Sequence, residues 1–388
     1  MGVRSTKLAV LLAVGIGAVG VASAPGVAGA ACTDVSGQGV PMQSIAHRNL
    51  WLPNTTACAG RITYVSTDPL TPMPLSSASF AASDDPPDGL TLFMMRNAAG
   101  SSVEVIPVLQ TAVAVLANLP AGCSASSSSS PLRAAARALQ DAYDTETATF
   151  WDLFPGQLAE AVPGACRGVV TPIARSADVA PTRSFKQYLN AVDPLEWSGD
   201  TLSGTVWPSN PALSVTASGD TGMVQTVDST DGTIGYAYLT WASSFGLSGT
   251  PDDDGFWVAL PSAGGTWAEP EWVESFTLAS YPNCDNTNYG AVPTTTTDAD
   301  WSNVSGVSAA PVNYPICTLS YVLAYTSRYD DLPGLARTYD AGETTRRYLQ
   351  YVTNSATGQL DVFGYGYGPV PSAIGTTAAR GASLVNTL

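Results

Sequence analysis

The stretch Gly168–Val192, GVVTPIARSADVAPTRSFKQYLNAV, decides how this chain is read. A β-like run from Val169 to Ala174 delivers Arg175, a short turn follows, and a helix is predicted to open near Pro181 and Thr182. Proline suits a first helical turn, where its missing N–H has no partner to lose. Phe185, Tyr188 and Leu189 then recur at the three-and-four spacing of one helix face. An arginine delivered beside a helix N-terminus makes an anion site. Free backbone N–H groups and the positive dipole end face the ligand, and the guanidinium adds a two-pronged donor. A lone arginine in a βα turn is also what an ordinary surface charge looks like, so the rest of the chain has to decide.

Upstream, residues 1–30 read as a secretory signal. Arg4 and Lys7 form the basic region, Leu8 to Val21 the apolar one, and Ala28-Gly29-Ala30 the small-residue cleavage site. Cys32 raises a lipoprotein alternative, but Gly29 stands where a lipid-attachment box carries leucine. Cleavage after Ala30 leaves 358 of the 388 residues, and no later apolar stretch is long enough to span a membrane. It removes two basic residues and no acid, leaving 14 basic against 32 acidic residues, net −18. Such a surface repels nucleic acid and anionic lipid. An anion ligand must therefore be held by local dipoles and a few cations. The expected location is outside the cell or in its wall.

Six cysteines, Cys32, Cys58, Cys123, Cys166, Cys284 and Cys317, include no CxxC pair, and His47 is the single histidine, so no zinc site is expected. In an exported chain three disulfides are the default. Order and proximity favour Cys32–Cys58, Cys123–Cys166 and Cys284–Cys317 among 15 possible pairings. A paired Cys32 carries no lipid.

Along the chain, Pro41 to Leu50 reads as a short helix, Arg61 to Ser66 and Ser79 to Ala82 as strand ends, and Asp68 to Ser77 as a Pro-rich stretch. Val103 to Asn118 gives two strand-like runs, Ser126 to Ser130 a flexible insert, and Leu132 to Tyr143 a helix. Thr233 to Trp241 is a strand, Phe245 to Trp301 is loop-rich, Cys317 to Tyr325 is a buried strand, and Thr344 to Tyr351 a helix. Strands alternating with helices argue for α/β.

In this order the pieces resemble the periplasmic phosphate-binding protein family, the receptors of phosphate ABC importers. SFAASDDPPDG (Ser79–Gly89) resembles the family's Phe-Gly-x-Ser-Asp-x-Pro loop, and VIPVLQTAVAVLANLP (Val105–Pro120) its strand crossing between lobes. TPIARS…TRSFKQYL resembles the arginine loop and its helix, and SGDTGMVQTV…GTIGYAYL the Ser-Gly-Asn-x-Gly-Val turn and the strand after it. NYPICTLSYVLAY (Asn313–Tyr325) resembles the returning strand, and YLQYVTNSATGQLDVFGYGYGPVP the C-terminal helix and closing turn. The resemblance covers most of the mature chain. It implies a two-lobed α/β periplasmic-binding-protein fold of type II, its lobes joined by crossing hinge strands. Residues 31–118 and 310–388 would form lobe I and residues 119–309 lobe II.

Residue by residue, the resemblance places a ligand arginine on Arg175 and the loop serine and aspartate on Ser83 and Asp84, the aspartate accepting a hydrogen bond from a protonated oxyanion. Elsewhere the chain departs from the pattern. Val179-Ala180-Pro181-Thr182 replaces Ser-Gly-Thr-Thr, leaving Thr182. Gly37-Gln38-Gly39-Val40-Pro41 lacks the first loop's hydroxyl, and Pro69 stands where the second loop has its serine, beside Asp68, leaving Ser66 and Thr67 to compensate in part. Each missing charge-assisted bond costs about 1.5–3 kcal/mol.

Two functions follow. The first is an exported receptor that binds a small oxyanion, phosphate or a relative, as a monomer and hands it to an ABC permease, with no cofactor and no chemistry. The second is a secreted or wall-associated protein that keeps the receptor fold, has lost phosphate binding and serves a structural, adhesive or scavenging role. One histidine without Ser/His/Asp spacing gives hydrolysis nothing to stand on. Asp84 and Arg175 admit a second reading, a salt bridge across the cleft. His47 reads as solvent-facing or capped, Asp252-Asp253-Asp254 as a solvated turn, and Ser203-Gly204-Thr205 and Ser248-Gly249-Thr250 as turns. The tryptophans read as packing.

Overall fold

An uninterrupted apolar run, VEVIPVLQTAVAVLAN, is buried at every position and forms the axis of the molecule. Both faces of a strand this apolar must be covered, which puts it at the centre of a sheet. The computed structural model describes residues 32–388 apart from 57, 68–77, 127–130, 145–146, 178, 198–205, 209–215, 252–254, 274–279, 286, 310 and 333–337. The signal segment, the Pro-rich stretch with Asp68 and Pro69, the triple aspartate and Ser203-Gly204-Thr205 lie outside these residues.

The elements that position the site are β1 (Val35–Gly39), α1 (Met42–Ile45), β2 (Ile62–Ser66), β3 (Phe80–Ser83), α2 (Gly89–Ala99), β4 (Val103–Asn118), β5 (Thr171–Pro172), α3 (Ala180–Val192), α4 (Gly219–Ser229), β6 (Thr233–Tyr238), β7 (Ile316–Tyr325), α5 (Tyr339–Val352) and β8 (Tyr367–Gly368). The main path of the large sheet is β2-β1-β3-β7-β4-β6-β5. β2, β1 and β3 are parallel, β7 returns antiparallel between β3 and β4, and β6 and β5 are parallel to each other.

β4 changes partners midway. Val103 to Ala112 pairs with β7, and Val113 to Asn118 with β6. The two strand-like runs expected here are thus one strand, because the VEVIPV–TAVAVLAN junction carries no turn residue. Pro107 cannot donate to the ladder, and the register slips between Ser320 and Tyr321 opposite it. The other correction in this region is at Trp241. β6 ends at Tyr238, and Leu239–Ser244 is a short helix, a change that a continuously apolar sequence does not mark.

Helix α1 continues as a π-helical stretch, Ala46–Trp51, and then as Leu52–Asn54. His47 is fully buried there, contrary to the solvent-facing expectation. Its ring stacks on Tyr64 at 4.2 Å between centroids, Nδ1 lies 2.7 Å from the Tyr348 hydroxyl and Nε2 3.1 Å from Gln43 Oε1. Burial pushes its pKa down to about 3, so it is a neutral packing residue. Trp51, Trp197 and Trp301 are also wholly buried, as the packing reading requires. Gly39 shows why β1 ends in Gly-x-Gly. Its φ is +148°, and a Cβ would lie 2.1 Å from the Ala82 carbonyl oxygen.

Three disulfides link Cys32–Cys58, Cys123–Cys166 and Cys284–Cys317, the pairing that order and proximity favour. With Cys32 paired, no thiol remains for a lipid. Among the described residues no helix is long and apolar enough to cross a membrane.

Candidate functional site

The quoted stretch does build a wall of a cleft. The backbone at Ala174 and Arg175 pairs in parallel with Thr216 and Ala217, which fixes Arg175 beside the start of α4. Its N–H donates to the Tyr236 hydroxyl at 3.3 Å, and its guanidinium lies 5.8 Å from the centroid of that ring. Nη2 donates to Asp220 Oδ1, which also accepts the Tyr238 N–H at 3.0 Å. The arginine is only 3% exposed. Burial opposes its charge, but Asp220 and the neighbouring tyrosines together hold its pKa above the ordinary value. Nε is buried and has no hydrogen-bond partner. A buried charged donor without a partner is costly, and here the Asp220 pair offsets that cost.

The loop after β3 forms a second wall. Ser83 Oγ donates to the Asp85 carbonyl and accepts the Asp85 N–H at 3.3 Å, while the Ser83 carbonyl accepts from Ser320 Oγ at 2.9 Å and Gln43 Nε2 at 3.3 Å. The loop is therefore fixed by the core beneath it. Asp84 Oδ2 accepts the Tyr238 hydroxyl at 3.1 Å. Burial, then the nearby Asp85 and Asp220 carboxylates, push its pKa up to about 7. Asp85 pairs with Arg183 at 2.6 Å, and Asp88 caps α2 by accepting the Thr91 N–H at 2.6 Å. That hydrogen bond holds the Asp88 carboxyl below its usual range.

Between these walls lies a cavity of about 580 Å³. Ser83, Asp84 and Arg175 line it together; Ser66, Thr67 and Thr182 do not. Thr182 is fully buried, its hydroxyl 3.0 Å from that of Tyr236, so it braces the tyrosine behind Arg175. Ser66 ends β2 opposite Gly39, and the Thr67 N–H donates to the Gly39 carbonyl at 2.7 Å. The alternative reading of Asp84 and Arg175 as partners in a salt bridge is corrected: the ion-pair partner of Arg175 is Asp220.

Sequence reading missed Asp220, Arg183, Tyr238 and Trp241. Asp220 had a visible signal, since it stands where the resembled turn carries asparagine. The others become cleft residues only through pairings between distant segments. The cleft's charges are four carboxylates, Asp84, Asp85, Asp88 and Asp220, against two arginines. No group of three or more side chains that could hold a metal ion is found among the described residues.

No family model matches the chain, and no curated protein matches it. Solved structures do. A high-affinity periplasmic phosphate-binding protein, PfluDING, bound with phosphate, superposes with a TM-score of 0.62 at 17% identity, covering 90% of this chain and 93% of that one. A phosphate-binding protein from Stenotrophomonas maltophilia gives 0.61 at 13% identity over 90% and 94%. A human phosphate-binding apolipoprotein gives 0.61 at 16% over 89% and 94%. The chain has the two-lobed α/β fold of these phosphate-binding proteins.

Proposed function

We propose that this chain is an exported solute-binding receptor that holds a small protonated oxyanion, phosphate or a relative, between two lobes. Residues 31–118 with 310–388 make the first lobe and 119–309 the second. The observation that carries the reading is Arg175, a charged side chain on the cleft wall that is braced by Asp220 and Tyr236 and shares the cavity with Ser83 and Asp84. Asp84 in the same cavity, with its pKa near 7, suits an oxyanion that itself carries a proton. The cleft binds and does no chemistry. Closure about β4 and β7 would present the ligand to a membrane permease.

Binding is expected to be weak. The hydroxyls of Ser66, Thr67 and Thr182 lie off the cavity, and Pro181 contributes no N–H. Three or four absent charge-assisted bonds, at about 1.5–3 kcal/mol each, remove several orders of magnitude of affinity. Isothermal titration with phosphate tests this. Submicromolar binding contradicts the weak-site reading, and heat from no oxyanion at all contradicts the receptor reading.

A second reading, a receptor fold retained for a structural, adhesive or scavenging role without transport, is favoured by the cleft's excess of carboxylates and by the pairing of both its arginines. It predicts that no oxyanion shifts the melting temperature.

A further inference from the structure

The cavity is large for the ion that Arg175 would anchor. Its two walls already touch: Arg183 pairs with Asp85 at 2.6 Å, and Tyr238 donates to Asp84 at 3.1 Å. With those bridges in place the cleft still encloses about 580 Å³. That volume falls in the range of sites for organic ligands, whereas a bare tetrahedral oxyanion is a handful of atoms. Beside Asp88, Thr91, Ser218, Asp220 and Thr221, the lining has an apolar part. Pro86 and Pro87 continue the Asp84 wall, Val179 and Pro181 the Arg175 wall, and Met95 and Trp241 complete it. The indole N–H of Trp241 is buried without an acceptor, so it is the ring of this residue that the cavity meets. Pro86, Pro87 and Pro181 offer a bare ion no N–H or hydroxyl donor. For a ligand with a carbon substituent they are rigid contact surface, already ordered before binding.

Building on the oxyanion reading above, we propose that the preferred ligand is an organic oxyanion: a phosphoryl head held at Arg175, bearing an apolar substituent of ring size that packs between the prolines and Trp241. The recognition is noncovalent and leaves the ligand unchanged.

The test compares phenylphosphonate, methylphosphonate and inorganic phosphate by isothermal titration against the intact mature chain. Phenylphosphonate is expected to bind at least about tenfold tighter than phosphate, about 1.4 kcal/mol, with methylphosphonate between them. In Trp241→Ala the ratio of phenylphosphonate to phosphate affinity should collapse towards one. The wild-type order decides the matter even if that variant folds poorly. Phosphate binding as tightly as phenylphosphonate, or more so, overturns the organic-ligand proposal and leaves the oxyanion receptor standing. Binding of none of the three overturns both. A ratio that survives Trp241→Ala in a folded protein overturns the assignment of the substituent's site.

Discussion

Arg175 and Asp220 set the energetics of the cleft at the residue scale. A guanidinium this buried stays charged because a carboxylate, itself fixed by the Tyr238 N–H, lies against it. Asp220→Ala should therefore destabilise the chain by about 3–5 kcal/mol, the cost of stranding a buried charge. Denaturant midpoints measure it, and a wild-type midpoint would mean that the pair carries no stability. Arg175→Ala should be destabilising as well, since it strands Asp220 in turn. Asp84 makes a separate prediction. Its folded pKa of about 7 lies above the roughly 3.9 of an unfolded aspartate, so between those values the folded state binds more protons. Stability from this group is present below pH 4 and falls as pH rises towards 7. Asp84→Asn removes that slope. It should match wild type near pH 4 and exceed it by about 1–3 kcal/mol at pH 8, since each unit is worth about 1.4 kcal/mol and solvent relaxation recovers part. Melting curves at both pH values check this; equal slopes would refute it. In binding, the same variant should admit sulfate, which the carboxylate repels.

Elements were legible where their own pattern closed. The helix of the quoted stretch, the β3 loop and the returning strand stand where the sequence puts them, because periodicity, proline and glycine are local signals. The end of β6 was not legible, since TIGYAYLTW is apolar through both strand and helix. Nor was His47, whose burial depends on Tyr64 and on Tyr348, 301 residues away. The disulfides were legible because exported cysteines pair and these are sequential neighbours. They also carry a quantitative consequence. Cys123 and Cys166 are 43 residues apart, and closing a loop of that length constrains the unfolded chain by about 4 kcal/mol. Replacing both with serine should lower the unfolding free energy by about that amount in urea. A loss below about 1 kcal/mol would mean that the unfolded chain is already compact there.

At the scale of the whole molecule, the question is what holds the cleft's two sides together. They are joined covalently and through β4, which pairs with β7 up to Ala112 and with β6 from Val113. Contacts across the cleft therefore bear on the distance between its sides. Among the described residues, Arg183–Asp85 and Tyr238–Asp84 cross the cavity itself, while Arg96–Asp298 joins the sides elsewhere. Of the two across the cavity, the first is the electrostatic one, and its side chains are 40% and 26% exposed, so salt should screen it. Arg183→Ala should let the free chain open. Small-angle scattering of the wild type should give a radius of gyration close to that of a compact chain of this length, roughly 20–21 Å. The variant should give a larger value, and the wild type in 1 M salt should move in the same direction. If the cleft binds an oxyanion at Arg175, saturating phosphate should draw the variant back while leaving the wild type almost unchanged, because closure there needs little further motion. A variant that scatters like the wild type, with or without salt, would show that the sides are held by other contacts and that Arg183–Asp85 is a bystander.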